Sequence, residues 1–144
     1  MVDEEHFRKL ERMYLSAPVN TFYQPKIHIS RGEAEISVPV KPQFFHAADA
    51  VHGVLYFKML DDASFFAVNS LVDDVFVLTV SFNLYLTRPV SKGTLISRGK
   101  VVHQSQRLYI AEAQLLDERE KQIARGSGTF MKGITPLSPE VGYE

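Results

Sequence analysis

Residues 51–70, VHGVLYFKMLDDASFFAVNS, contain no proline and are apolar on nearly every side. The run predicts one long helix, and a helix of that kind is normally buried all round. The period then changes. Phe76, Leu78, Val80, Phe82, Leu84 and Leu86 alternate with Val77, Thr79, Ser81, Asn83 and Tyr85, which predicts a strand that Pro89 stops. Residues 94–104, 107–117 and 121–131 predict three more strands, with turns at 104–106 and 117–120. Ahead of the helix, residues 27–40 read as strand, kinked or turned at Arg31-Gly32 and ended by Pro39 and Pro42. Short turns make successive strands antiparallel. The fold class is therefore α+β, with one central helix lying across an antiparallel sheet of about five to six strands. A single sheet leaves the far side of such a helix bare. That side calls for a second covering surface, most simply another copy of the chain.

The 144 residues suit a single domain, 1–144. Within it, 1–26 read as an N-terminal helix and linker, 27–132 as the core and 133–144 as an irregular tail. The first helix spans 3–15, with Asp3 as N-cap and Phe7, Leu10 and Tyr14 on one stripe. There is no cysteine, which excludes disulfides, thiolate metal sites and cysteine nucleophiles. The formal net charge of −1 argues against nucleic-acid binding. It hides an asymmetry, however. Residues 75–111 hold Arg88, Lys92, Arg98, Lys100 and Arg107 and not one acid. The N-terminus is acidic from its third residue, unlike a signal peptide. The longest apolar stretch, 50–68, is broken by His52, Lys58, Asp61 and Asp62. A cytoplasmic protein without membrane contact is expected.

Two features of the helix carry chemistry. Asp61 and Asp62 are adjacent, so they point about 100° apart and meet different surroundings. Lys58 stands four residues before Asp62 and three before Asp61 and can pair with either. Pairing with Asp62 would leave Asp61 to be explained, as a solvated helix edge, a second partner of Lys58 or a functional carboxylate. At the helix start, Val51-His52-Gly53-Val54 offers free backbone N–H groups and a glycine that admits another molecule. Such a terminus suits a carbonyl oxygen that gains negative charge, although Gly53 could equally serve tight packing. Eight residues of helix separate Gly53 from Asp61 by about 12 Å, too far for one carbonyl to touch both. Two antiparallel helices related by a two-fold axis remove the difficulty, each site taking its donor from one chain and its carboxylate from the other.

His46, His52-Gly53-Val54, Asp61 and Ala63, with Asn69-Ser70, resemble the helix motif of the hot-dog fold thioesterases. The similarity is to the phenylacetate-degradation-type acyl-CoA thioesterases, a branch of the 4-hydroxybenzoyl-CoA thioesterase-like proteins. It continues through TVSFNLYLTRPV (79–90), GKVVHQSQRLYIAEAQLLDERE and IARGSGTF, and covers about residues 33–132. The resemblance implies a hot-dog fold and hydrolysis of an acyl- or aryl-CoA. It implies a catalytic set: Asp61 as nucleophile or general base, the Gly53 N–H polarising the carbonyl, His52 shaping the site, His46 orienting carbonyl or water, and Thr79 near the lytic water. His103, Gln104, Ser105, Gln106 and Arg107 match the turn that contacts the nucleotide of coenzyme A. Coenzyme A is then part of the substrate, and no separate cofactor or metal is expected. The implied assembly is a homodimer with active sites at the subunit interface, further paired as a dimer of dimers.

The chain departs from the pattern in places. Val54 stands where many relatives have a second glycine, the motif does not require Asp62, and residues 1–26 lie outside the resemblance. Tyr56, Phe57, Phe65 and Phe66 could line an acyl pocket or simply be core. Two other readings share the fold: a non-catalytic binder of acyl-CoA or acyl-carrier protein, and a hydratase or dehydratase using His52 with an acid. His6 and His28 show no metal-ligand spacing and read as isolated, exposed or half-buried residues. Ser127 sits in a strand pattern, not at a nucleophile elbow. The basic block would face the phosphates of coenzyme A, with Arg107 first and Lys100 and Arg98 behind it, while at least two of the five are merely solvated.

Overall fold

The structure is a computed structural model and describes residues 2–144. Two short helices come first, α1 (Val2–Ser16) and α2 (Pro18–Tyr23), then strands β1 (Lys26–Ser30) and β2 (Glu33–Pro39). Helix α3 (Gly53–Asn69) is the long one, followed by β3 (Val75–Leu86), β4 (Thr94–Gln104), β5 (Tyr109–Leu116) and β6 (Gln122–Pro136). The six strands form one antiparallel sheet in the order β1-β2-β4-β5-β6-β3.

Helix α3 crosses the middle of the sheet. Leu55, Met59, Leu60, Ala63 and Val68 are fully or almost fully buried. The crossing is close because β4 offers Gly99 at that point. A Cβ there would stand 2.5 Å from the backbone of Ala63. Asn69 and Ser70 fasten the helix end. The Asn69 side chain donates to the carbonyls of Val72 and Val75 and accepts from the N–H of Val77. The Ser70 hydroxyl accepts from the N–H of Gly32 and donates to the Ala67 carbonyl. Both side chains are buried, so each must satisfy its own polar atoms.

Five expectations change. The covering of α3 comes partly from within the chain: Phe7, Leu10, Met13 and Tyr14 of α1 belong to the same buried cluster as Leu55, Met59 and Phe66. A helix that starts at Val2 puts Asp3 in the first turn, where its charge suits the helix dipole, and not at the N-cap. Residues 16–26 are not plain linker. They include α2, and the buried Asn20 amide donates to the Tyr14 carbonyl. The tail is ordered further than expected, since β6 runs to Pro136 against β3 and a short 3-10 turn follows at Pro139–Val141. The tail then returns to α1. The Tyr143 hydroxyl lies 2.7 Å from His6 Nδ1, and His6 Nε2 lies 2.9 Å from the Asn69 carbonyl. His6 is thus fully buried and doubly bonded, where an exposed or half-buried histidine was expected.

Strand β3 holds the change that matters most for the site. A uniform period of two would put Thr79 on the face opposite Phe82 and Leu84. The register against β6 slips between Thr79 and Ser81, leaving Val80 as an extra residue. The bulge reverses the alternation. Val77 is fully buried before it, Phe82 and Leu84 pack on the core after it, and Leu78 and Val80 face outward. Thr79 therefore shares the inner face with Val77, opposite the buried Phe130.

Candidate active site

The expected catalytic residues fall into two groups. The first surrounds Asp61. Its carboxylate is half-buried, and Oδ1 accepts a hydrogen bond from the Thr79 hydroxyl at 2.9 Å. Burial pushes the Asp61 carboxyl up to about 6, against the opposing pull of Thr79. Asp62 adds to the rise and Lys58 opposes it. Lys58 pairs with Asp62 at 2.5 Å, and the Tyr14 hydroxyl donates to the same Asp62 oxygen at 2.7 Å. Burial, with Asp62 next to it, drives the Tyr14 hydroxyl far above the usual phenol range, so Tyr14 stays a donor.

A cavity of about 260 Å³ opens beside Asp61 and Thr79. Its walls are mainly apolar: Met13, Tyr14 and Ala17 from the N-terminal segment, Phe65 and Phe66 from α3, Phe76 from β3 and Val141 from the tail. Residues 1–26 thus reach the candidate site although they lie outside the motif. Tyr14 was legible only as a core residue. A tyrosine on a buried stripe needs a partner for its hydroxyl, and an adjacent pair of aspartates needs donors.

The second group lies at the start of α3. His52 is extended (φ −64°, ψ 142°) and caps the helix, its Nδ1 accepting from the N–H of Val54 at 2.9 Å. The Val54 N–H is thereby occupied. Among the described residues, the Gly53 N–H has no protein acceptor and is the free donor of the first turn. His46 repeats the arrangement, Nδ1 accepting from the N–H of Ala48 at 3.0 Å. A backbone N–H on each Nδ1 places the ring proton of the neutral imidazole on Nε2. The two rings are 6.4 Å apart. A second cavity of about 260 Å³ brings His46, Gly53, Tyr56, Leu86 and Arg88 together. A Cβ on Gly53 would come within 3.0 Å of Leu86 Cδ1, so the glycine keeps this mouth open.

The two groups do not meet within one chain. Asp61 with Thr79 lines one cavity, and Gly53 with His46 lines the other. Between them α3 presents Val54 and Phe57, both exposed, on the stripe that leads to Asp61. Phe57 meets Phe82 edge-on and does not line the cavity at Asp61.

The chain from His103 to Arg107 forms the exposed end of β4 and the turn into β5, and lines neither cavity. Arg98 is not free for a phosphate as expected. It holds Glu35 of the neighbouring strand β2 at 2.8 Å and Glu120 of the turn between β5 and β6 at 2.9 Å. Arg88, Lys92, Lys100 and Arg107 are exposed and make no ion pair among the described residues. Arg88 is the member of the block that reaches the Gly53 cavity. Among the described residues no cluster of three metal-ligating side chains occurs, and no helix is long and apolar enough to cross a membrane.

The family model of the thioesterase superfamily matches residues 49–124, more than half of the chain and all of α3 with β3 to β5. The chain belongs to the thioesterase superfamily. Solved structures share the fold of this superfamily member. The E. coli PaaI protein of the phenylacetic acid degradation operon superposes with a TM-score of 0.86 at 18% identity, over 96% of this chain and 100% of that one. A mutant of the phenylacetic acid degradation protein PaaI from Thermus thermophilus gives 0.74 at 22% identity, over 81% and 100%. A Saccharolobus solfataricus protein provisionally named an esterase is 22% identical over 127 residues, 88% of this chain and 87% of that protein. The fold of this superfamily member is therefore the hot-dog fold of thioesterases, one central helix wrapped by an antiparallel sheet.

Proposed function

We propose that the chain hydrolyses the thioester of an acyl-CoA, with sites formed between two copies. The observation that carries this reading is Asp61: a half-buried carboxylate, oriented by Thr79, open to an apolar cavity, in a member of the thioesterase superfamily. The acyl chain occupies that cavity. The thioester oxygen accepts from the Gly53 N–H of the facing copy, where the helix dipole favours the charge of the tetrahedral intermediate. Asp61, ionised above pH about 6, either attacks the carbonyl carbon or takes a proton from the attacking water. Collapse of the intermediate expels the thiolate of coenzyme A. It leaves the free acid where water has attacked. Where Asp61 has attacked, it leaves an acyl–Asp61 anhydride that a water then hydrolyses to the acid and the free carboxylate. The stripe of Val54 and Phe57 is covered by its symmetry mate, which brings each Gly53 to the Asp61 of the other chain. Arg88 and the turn at 103–107 supply positive and polar groups for the nucleotide.

Thiol release from a panel of acetyl-, medium-chain, long-chain and aryl-CoA thioesters by wild type and Asp61→Asn tests the reading. The variant is expected to lose at least about a hundredfold in kcat/KM on the preferred substrate. Turnover retained in Asp61→Asn removes Asp61 from the mechanism. Tight binding by the wild type with no thiol release makes the protein a binder instead.

A further inference from the structure

We propose that Asp62 and Tyr14 are positioning residues that hold the Lys58 ammonium away from Asp61 and so keep the reactive carboxylate free, an inference that rests on the thioesterase reading above. Lys58 stands one helical turn before both aspartates and can reach either. Its ion pair goes to Asp62 alone: Nζ lies 2.5 Å from Asp62 Oδ2 and forms no ion pair within 4.0 Å with the Asp61 carboxylate. The same Asp62 oxygen accepts from the Tyr14 hydroxyl at 2.7 Å, and that hydroxyl stands 3.4 Å from the ammonium. The rings of Tyr14 and Tyr23 close the remaining sides, with centroids 5.1 and 5.3 Å from Nζ. The holder is thus built from α1, α2 and α3 together. Side chains of Lys58 and Asp62 are only 13% and 19% exposed, so water screens the ammonium weakly.

The groups that face Asp61 are Lys58 and Asp62 from its own helix, Tyr14 from α1 and Thr79 from β3. A released ammonium would find Asp61 as its nearest anion. An ion pair there would occupy the oxygens that must meet carbonyl carbon or water, and would lower the basicity that the buried site has raised. A purely structural pair joining α1 to α3 would give Lys58 the same effect on the titration of Asp61 whether or not Asp62 carries its charge.

Titration of the Asp61 side-chain carboxyl by carbon-13 NMR separates the two. The proteins are wild type, Lys58→Met, Asp62→Asn and the double variant. Asp62→Asn is expected to move the Asp61 midpoint down by about one pH unit. Lys58→Met is expected to move it up by more in the Asp62→Asn background than in the wild-type background. Equal upward steps in the two backgrounds mean that Lys58 has not turned to Asp61, and overturn the proposal. Tyr14→Phe keeps every charge and guards against misfolding of Asp62→Asn. It is expected to lower the midpoint by a smaller step, and an unchanged midpoint overturns the proposal. The titration needs no substrate, so absence of thioester hydrolysis would sink the functional reading and leave this result legible. Where hydrolysis is present, the acid limb of kcat/KM moves with the NMR midpoint.

Discussion

The Thr79 hydroxyl donates to Asp61 Oδ1 at 2.9 Å, and the bulge at Val80 is what turns Thr79 inward to do so. The hydrogen bond favours the ionised carboxylate and opposes the burial that raises its pKa to about 6. Thr79→Val removes the donor at nearly constant volume. The midpoint of the acid limb of kcat/KM is then expected to rise above about 6, with a large loss of activity at pH 6.5 and a smaller one at pH 8.5. Thr79→Ser should restore the wild-type profile. A pH–rate profile of the three proteins checks this.

Asp61 also weighs on the stability of the fold. Its carboxyl is raised from an ordinary 3.8 to about 6, so the folded protein binds the proton more tightly than the unfolded chain does. That contribution is complete below pH 3.8 and is lost as pH rises through about 6. Asp61→Asn, neutral throughout, should therefore stabilise the protein at pH 7.5 by about 1 kcal/mol, the full linkage value being reduced because the group is only half buried. The gain should vanish near pH 3.5. Thermal melts at the two pH values measure it, and equal Tm differences at both would contradict it.

Gly53→Pro tests the backbone donor without a side-chain argument. Proline deletes the N–H yet suits the first helical position, and His52 already has the extended conformation that precedes a proline. A Cβ at that position meets only the flexible end of Leu86. The variant should fold and lose about a hundredfold in kcat. Mixed and refolded with Asp61→Asn, it should recover about a quarter of wild-type activity, because half of the dimers are mixed and each holds one intact site. A mixture no more active than its parts would place Gly53 and Asp61 in separate functions.

Val141→Phe narrows the cavity at Asp61 from the tail side. KM is expected to rise several-fold for medium-chain and aryl thioesters and to stay unchanged for acetyl-CoA. An equal change for all substrates would take the acyl group out of this cavity. Initial rates on the same panel of thioesters measure the difference.

The sheet was legible because its strands alternate strongly and are separated by Pro89, residues 104–106 and residues 117–120. Helix α3 was legible from its unbroken apolar run. Asp61 and Gly53 stood out because a half-buried charge and a glycine in a first helical turn both need reasons. The inward turn of Thr79 was not readable from periodicity, since one extra residue in β3 reverses the alternation and no residue type announces it. Nor was the Tyr14–Asp62 bond, which joins residues 48 positions apart through tertiary packing alone. The ion pairs of Arg98 escaped a reading by charge count for the same reason. Glu35 is its register partner on a strand distant in sequence.

The two ends of the chain meet where the Tyr143 hydroxyl touches His6, and both send residues to the wall beside Asp61. The stretch that matches the superfamily, 49–124, contains neither end. Part of the pocket wall is therefore encoded outside the block that carries Asp61, Thr79 and Gly53. Grafting new ends that keep Tyr14 onto an unchanged middle would retune which acid is released while leaving the means of releasing it intact.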